Sequence, residues 1–159
     1  MVAALDWIEG LPFAVAIRRS ATLYIFANAA HILSIGIILG AILPLDLRLV
    51  GAFRTVPVAV IGPFLSRAAA TGIVAAIVTG FCLFSVRPHE YAANAAFLTK
   101  ITLVALGIGN AALLHLTPQW RAAVKGGPLS SRVRLSAVLS LTIWIGALLS
   151  GRWIGFLLE

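Results

Sequence analysis

The sequence predicts an all-α integral membrane protein, a four-helix up-down bundle preceded by a short N-terminal interfacial helix. Of its 159 residues, 61% are hydrophobic and only 11% are charged, whereas soluble domains contain roughly 45–50% apolar and 25% charged residues. The apolar residues form long unbroken runs, without the alternation that the strands of a membrane barrel require. This composition excludes a soluble enzyme, a zinc finger and a disordered tail.

Four of the apolar runs are long enough to cross a bilayer as helices, because a crossing takes about 20 residues at a rise of about 1.5 Å each. The first run has no formal charge, whereas Lys100 lies inside the third and Arg152 inside the fourth. The predicted spans cover residues 20–45, 58–85, 91–117 and 134–157, within a single domain over residues 1–159.

The segment before the first span, residues 6–19, predicts a short helix in the membrane interface with Trp7 at headgroup depth. It does not have the order of a signal peptide, because Asp6 and Glu9 precede the arginines and no small-residue cleavage site follows an apolar stretch. We therefore expect the N-terminus to be retained.

The distribution of basic residues predicts the orientation, since loops rich in Lys and Arg remain in the cytoplasm. One side carries Arg48, Arg54, Arg67, Arg121, Lys125, Arg132 and Arg134, and the other carries Arg18, Arg19, Arg87 and Arg152. This bias predicts that both termini lie outside the cytoplasm. The net charge of +7 is spread singly along the edges of the apolar runs, which favours lipid headgroups over nucleic acid as the partner.

The polar residues of the first span predict a site, because each one carries an insertion cost in a membrane helix. Tyr24, Asn28, His31 and Ser34 are spaced by four, three and three residues, which places them on one helical face. We expect this face to point into the bundle. His31 then lies close to the middle of the membrane, where an imidazole can ligate haem or a metal, relay protons or hydrogen-bond a neighbour.

Residue counting along the parallel first and third spans predicts two polar layers. His31 and Lys100 fall at similar depth and form an upper site, whereas Asp46 and His115 form a lower site. His31 and His115 are each a candidate metal ligand. They cannot bind one iron together, since roughly 18–20 Å of helix separates the two layers.

The upper site is a candidate cofactor site that consists of His31, Tyr24, Asn28, Lys100 and Arg152. A b-type haem would have His31 as its protein ligand, with Arg152, or Arg18 and Arg19, pairing its propionates. Other interpretations stay open. Arg152 can extend to the interface beside Trp153, and Lys100 can bind a carbonyl or Asn94, or hold an anionic ligand such as a carboxylate or a quinone.

The lower site is a candidate proton or polar relay that consists of Asp46, Arg48 and His115. The alternative is a structural tie between Asp46 and a cation of the opposite loop. We expect His89 to be solvated, with a surface copper or zinc ligand as the other reading. No phosphate-binding loop, catalytic triad or HExxH motif occurs in the sequence, so we expect no independent catalysis.

Small residues predict where helices approach closely or meet a partner. Gly36 and Gly40 form a small-xxx-small pair on a second face of the first span. Small residues also line packing faces of the second span, which includes Thr79, and of the fourth span, which includes Gly151. Asn110 is expected to hydrogen-bond across the bundle.

The segment from Asn28 to Gly51, with His31 and the run Pro44-Leu45-Asp46-Leu47-Arg48, resembles a family of small bacterial membrane proteins described as domain of unknown function 6644. The resemblance continues through Tyr91, Asn94, Phe97, Lys100, Asn110, His115, Trp144 and Gly151-Arg152-Trp153-Ile154. It implies a bacterial cytoplasmic-membrane four-helix protein, distantly similar to copper-resistance D-type membrane domains and to small b-type cytochromes. In such a membrane, the orientation predicted from the basic residues would place both termini in the periplasm. The candidate positions it shares are His31, Asp46, Arg48, Lys100, His115 and Arg152, without assigned roles.

Three functions are compatible with these residues. The first is electron transfer through a b-type haem or another redox cofactor, with a membrane or periplasmic redox partner. The second is a non-catalytic anchor or accessory subunit in a homo-oligomer or larger complex, and the third is permeation of copper or another small solute.

Overall fold

The computed structural model describes residues 2–157, and this part of the chain is helical without any strand. Four helices, α3, α4, α6 and α8, are long and apolar enough to span a membrane, which confirms the predicted class. The helices are α1 (Val2–Glu9), α2 (Pro12–Arg19), α3 (Ala21–Val50), α4 (Val58–Phe84), α5 (Pro88–Ala93), α6 (Ala95–His115), α7 (Pro118–Ala123) and α8 (Ser131–Leu157).

The four long helices form two pairs. Helix α3 packs along α4, helix α6 packs along α8, and the contact between α3 and α8 joins the pairs. We call the end where α3 and α6 begin the N-terminal end of the bundle, and the opposite end the α7 end. Helices α1, α2 and α5 lie at the N-terminal end, because they precede α3 or connect α4 to α6.

Helix α3 is longer than the predicted first span, which ended at residue 45. Ser20 begins the helix by accepting a hydrogen bond from the Leu23 amide at 3.3 Å, as expected of an N-cap. Pro44 lies inside the helix without ending it, since proline is tolerated in membrane helices where neighbouring groups satisfy the backbone. The helix ends at Gly51, whose φ of +124° suits a residue without a side chain.

The third span begins later than predicted, at Ala95 instead of residue 91. The Asn94 side chain accepts a hydrogen bond from the Phe97 amide at 3.1 Å and starts a new helix there. Pro88 begins the separate short helix α5, so Tyr91 lies outside the spanning segment.

The N-terminal segment folds as two short helices and not as one. The Gly10 amide donates to the Asp6 carbonyl and ends α1, and Pro12 begins α2 because it lacks the amide that would continue the first helix. His89 of α5 contacts Asp6, with 2.8 Å between its Nε2 and Oδ1. The His89 side chain is 41% exposed, as expected for a solvated residue, and it also has this partner.

Two apolar clusters fill the bundle. The central cluster, halfway along the helices, contains Ile38, Ala41, Ile42, Ala69 and Trp144. The second cluster lies at the α7 end and contains Leu45, Leu49, Val58, Leu114, Trp120, Ala123, Val133 and Ala137. Helix α7 was not predicted, and its buried Trp120 closes this second cluster.

Candidate functional site

His31 meets residues of two other helices in the half of the bundle nearer to the N-terminal end. Its Nδ1 lies 3.0 Å from the Thr79 hydroxyl of α4, and its Nε2 lies 3.5 Å from Nζ of Lys100 on α6. The structure thus brings His31 and Lys100 together at one depth. Three helices contribute to the site, so its geometry depends on how the two helix pairs are packed.

The hydrogen bonds of Thr79 determine which nitrogen of His31 carries the proton. The Thr79 hydroxyl donates its only proton to the Ala75 carbonyl at 2.7 Å, so toward the imidazole it can only accept. The Ala76 carbonyl is a second acceptor beside the ring. Nδ1 of His31 is therefore the donor, and the Nε2 lone pair of the neutral ring faces the Lys100 amine.

Two glycines allow this close packing. A Cβ atom at Gly80 would lie 3.0 Å from Cε1 of His31, and one at Gly151 would lie 3.4 Å from Cδ of Lys100. The first distance is shorter than ordinary van der Waals contact, so any larger residue at Gly80 must displace the imidazole. The sequence predicted Gly151 only as a packing residue and did not single out Gly80.

Lys100 has no acidic partner among residues 2–157, because the salt bridges there involve other residues. The alternative tether to Asn94 is not present, since the Asn94 side chain caps α6. An amine inside a membrane helix is costly unless it faces a polar partner. Its one polar side-chain contact in the described chain is the imidazole of His31.

An aromatic cluster lies on the N-terminal side of this pair. The rings of Phe84 and Phe97 are stacked with centroids 5.5 Å apart, and Tyr91 lies 5.4 Å from Phe97. Phe84 follows Gly80 by one turn, and Phe97 precedes Lys100 by one turn, so the cluster adjoins the site. Burial raises the pKa of the Tyr91 phenol, which keeps it neutral at physiological pH.

Asn28 does not point into the packed interior, which corrects part of the prediction for this face of the first span, whereas Tyr24 contacts Tyr91 of the aromatic cluster. Tyr24 is 39% exposed, and Asn28 is exposed one turn before His31. Ser34 alone of the polar residues on this face is fully buried, and its hydroxyl donates to the Ala30 carbonyl at 2.7 Å. This face of α3 is therefore exposed on the N-terminal side of His31 and buried on its C-terminal side, at Ser34.

The arginines predicted to hold propionates have other partners. Arg152 is exposed with its guanidinium 5.3 Å from the Phe156 ring centre, and Trp153 beside it is also exposed. Arg18 pairs with Glu9 and donates to the Val86 carbonyl at 3.4 Å. Arg19 is exposed at the end of α2.

The structure does not join Asp46 and His115 into a lower site. His115 is exposed, with its Nε2 3.2 Å from the Ser66 hydroxyl and its ring 4.5 Å from that of Trp120. Asp46 is 6% exposed and faces Ser140 of α8. The two side chains contact different helices, because His115 meets α4 and α7 and Asp46 meets α8.

The other expectations for the lower site are also corrected. Arg48 does not form a relay with Asp46, because its guanidinium donates to the Val56 and Arg54 carbonyls of the loop after α3. Asp46 is not tied to a cation, since none of the salt bridges in the described chain includes it. Its Oδ2 atom is buried without a hydrogen-bond partner.

Asn110 forms the predicted bond across the bundle. Its Nδ2 donates to the Ser136 carbonyl at 3.0 Å, and its Oδ1 accepts from the Ser136 hydroxyl at 3.0 Å. These two bonds join α6 to α8 near the α7 end. The asparagine is fully engaged, which supports its structural interpretation.

Thr79 is the site residue that sequence analysis missed, because it was assigned to a face of small residues. A threonine beside Gly80 in a membrane helix offered a weak signal, since such hydroxyls usually bond to their own helix. Thr79 does so and also accepts from His31. Its second role, as the acceptor for the His31 ring, follows only from the packing of α4 against α3.

The site supplies one of the features that a b-type haem needs. The imidazole of His31 is anchored through Nδ1 with Nε2 open, as in a typical metal-ligating histidine. No second histidine faces it within residues 2–157, and the predicted arginines are engaged or turned elsewhere. The Lys100 amine occupies the position opposite Nε2, so these residues do not fit a conventional haem site.

Fold and site together define a multi-pass four-helix membrane protein with a polar histidine–lysine pair between its helices. Comparison with protein-family models matches residues 5–157 to the Family of unknown function (DUF6644). The chain belongs to this family, as the motifs around His31 and Lys100 indicated. Comparisons with curated proteins and with solved structures gave no match.

Proposed function

We propose that the protein is an electron-transfer protein that binds a redox cofactor at the His31–Lys100 pair. One observation carries this proposal: an oriented imidazole lone pair and an amine without an acidic partner among residues 2–157 face each other at 3.5 Å between membrane helices. Polar groups at this depth are rarely retained without a ligand or a relay role. Haem b is the first cofactor to test because its absorption spectrum gives a direct answer, although His31 supplies only one of the features of a conventional haem site.

The absorption spectrum of the purified protein, oxidised and dithionite-reduced, tests this proposal together with metal analysis and organic extraction. A Soret band that His31→Ala removes and His89→Ala retains would identify haem. A redox-active organic molecule in the extract, without a Soret band, would support the proposal with a different cofactor. A protein that contains neither, expressed with haem supply ensured, would overturn it.

The second candidate function is a non-catalytic subunit that binds another membrane protein. It is favoured by Gly36 and Gly40 on α3, where an added Cβ atom would meet nothing within 4 Å. Such a small-xxx-small pair usually lets a second helix approach closely, and none of the helices described within residues 2–157 does so here. The partner is a second copy or a larger complex.

Substitution of Gly36 and Gly40 with leucine tests this candidate. Both positions are open, so the monomer is expected to fold normally. Cross-linking in membranes should lose a dimer or complex band in the Gly36→Leu, Gly40→Leu double variant and keep it in Gly109→Leu, where an added Cβ atom also meets nothing within 4 Å. An unchanged band would remove the support for this candidate.

The third function, permeation of copper or another solute, receives less support. The His31–Lys100 pair and Asp46 are separated along α3 by the central cluster of Ile38, Ala41, Ile42, Ala69 and Trp144. Apolar side chains packed at this position interrupt a polar route between the two ends of the bundle. Binding at one end agrees better with the described chain than passage through it.

For its location we propose the bacterial cytoplasmic membrane, with both termini in the periplasm. The unequal number of basic residues at the two ends of the bundle supports this orientation. It would place the His31–Lys100 pair in the periplasmic half of the membrane, where a membrane or periplasmic redox partner could reach it.

A further inference from the structure

We propose that the His31–Lys100 pair binds the ring of a lipid-soluble quinone and binds the reduced quinol more tightly than the oxidised quinone. This inference rests on the proposed function and names the class of its cofactor. It is a proposal about binding, and it follows from the directions of the hydrogen bonds, the openness of the site toward lipid and the neighbouring aromatic rings.

The pair offers one acceptor and one donor to a single oxygen atom. Nε2 of His31 can only accept, because the proton of the ring is on Nδ1 and is directed at Thr79, and Nζ of Lys100 can donate. A quinol hydroxyl donates one hydrogen bond and accepts another, so it matches both groups. An oxidised quinone has carbonyl oxygens that only accept, so it matches Lys100 alone.

The spacing of the pair allows such an oxygen to enter. The 3.5 Å between Nε2 and Nζ is at the long end for a direct hydrogen bond, so the contact is readily exchanged for a better one. Lys100 has a flexible four-carbon chain, and Gly151 beside it leaves room along this chain. His31 is held by Thr79 and is expected to remain in place.

The approach to the site comes from the bilayer. Asn28 and Tyr24 are exposed on the α3 face that leads to His31. Asn28 has no side-chain hydrogen bond to any of residues 2–157, which is costly for an amide inside a spanning helix. A ligand that arrives from this direction must dissolve in lipid and carry a polar head, as quinones with alkyl tails do.

The aromatic cluster of Phe84, Tyr91 and Phe97 adjoins the site on its N-terminal side. Aromatic faces and edges stabilise a bound ring by offset or tilted stacking. A fatty acid carboxyl group could also donate and accept between Lys100 and His31, but it has no ring for this cluster. The stacking partner therefore favours a quinone over a fatty acid.

The test measures retention of a decyl-substituted benzoquinone and of its quinol, under anaerobic conditions, on immobilised full-length protein in detergent micelles. Lys100→Met should weaken binding of both forms roughly tenfold or more, as expected for loss of a hydrogen bond to a charged or strongly polar group. His31→Phe should weaken quinol binding by a similar factor and change quinone binding little. Lys125→Met and His89→Phe are the matched controls.

Two further variants keep the test informative if those substitutions unfold the protein. Thr79→Val removes one of the two acceptors of the Nδ1 proton and leaves only the Ala76 carbonyl, so it should reduce the preference for quinol. Asn28→Leu lies at an exposed position and should slow or weaken binding of both forms without affecting the fold. Equal retention by the wild type and all folded variants would overturn the inference, as would displacement of the quinol by equimolar oleate.

The outcomes separate this inference from the proposed function. Purified protein with a Soret band and no quinone retention would support electron transfer and overturn the quinone site. Quinol retention that depends on His31 and Lys100, without haem, would support both. Protein without haem, bound quinone or any other redox-active molecule would overturn both.

Discussion

At the scale of single residues, the position of one proton determines what the candidate site can bind. Thr79 fixes it together with the Ala76 carbonyl, because the Thr79 proton is used on the Ala75 carbonyl and only its lone pairs remain for His31. The tautomer of His31 thus depends on an uncharged side chain of a neighbouring helix. Site residues of this kind act through orientation, as outer-shell partners of metal-bound histidines do.

Loss of the Thr79 hydroxyl should change the tautomer of His31. In Thr79→Val the ring loses its hydroxyl acceptor, whereas Thr79→Ser keeps it. We expect the ¹⁵N spectrum of the histidine ring to show a larger fraction of Nε2 protonation in the valine variant, because only the Ala76 carbonyl remains as an acceptor for Nδ1, with quinol retention reduced by up to roughly tenfold. Thr71→Val is the control, since Thr71 makes the same bond to its own helix but is exposed. An unchanged ring spectrum in Thr79→Val would contradict the assignment.

Asp46 should tolerate conversion to asparagine, because it has no cationic partner in the described chain. Breaking a buried ion pair costs about 3–5 kcal/mol, whereas we expect Asp46→Asn to change the free energy of unfolding by less than about 1 kcal/mol. Asn110→Ala loses two bonds to Ser136 and should cost about 1–3 kcal/mol. Unfolding in mixed micelles measures both, and a large loss in Asp46→Asn would indicate a charged partner after all.

Sequence reasoning reached the His31–Lys100 pair by counting residues from the membrane edge, which depends only on helical rise. It could not reach Thr79 or the separation of Asp46 from His115, because these depend on how each helix is rotated about its axis. Rotation is set by side-chain packing between helices, such as Gly80 against His31. A single sequence contains that information only indirectly.

At the scale of helices, local capping residues explain where the predicted boundaries failed. Asn94 starts α6 later than the hydropathy suggested, and Thr117 starts α7 by accepting from the Trp120 amide at 3.1 Å. Pro12 divides the N-terminal segment. Each of these signals is present in the sequence, but the length of an apolar run does not reveal them. Pro44 is the opposite case, because it lies within α3 and does not end the helix.

The contact between α3 and α4 should be sensitive to a single methyl group at Gly72. A Cβ atom there would lie 2.9 Å from Cγ1 and 3.1 Å from the backbone nitrogen of Ile38. Overpacking of this kind costs about 1–3 kcal/mol and should outweigh the gain of about 1 kcal/mol in helix propensity from Gly to Ala. We expect Gly72→Ala to lower the thermal unfolding temperature in detergent.

Gly36→Ala is the matched control on the same pair of helices. A Cβ atom at Gly36 meets nothing within 4 Å, so only the gain in helix propensity remains. Its unfolding temperature should be unchanged or slightly higher. Equal destabilisation of the two variants would mean that α3 and α4 do not pack as described.

At the scale of the whole molecule, the polar groups are distributed asymmetrically across the membrane. The His31–Lys100 pair and its aromatic cluster lie toward the N-terminal end, and the central cluster separates them from Asp46. The basic residues show the opposite asymmetry, because those at the α7 end are more numerous, whereas Arg18 and Arg87 at the N-terminal end pair with glutamates. Orientation in the membrane therefore decides which compartment the candidate site adjoins.

Labelling of single cysteines tests that orientation. With Cys82→Ala as the background, Arg87→Cys lies at the N-terminal end and Lys125→Cys lies after α7, and both positions are exposed. Because the basic loops are expected in the cytoplasm, a membrane-impermeant maleimide should label Arg87→Cys in intact cells and Lys125→Cys only after permeabilisation. The reverse pattern would place the His31–Lys100 pair near the cytoplasmic face, and a periplasmic redox partner would then be excluded.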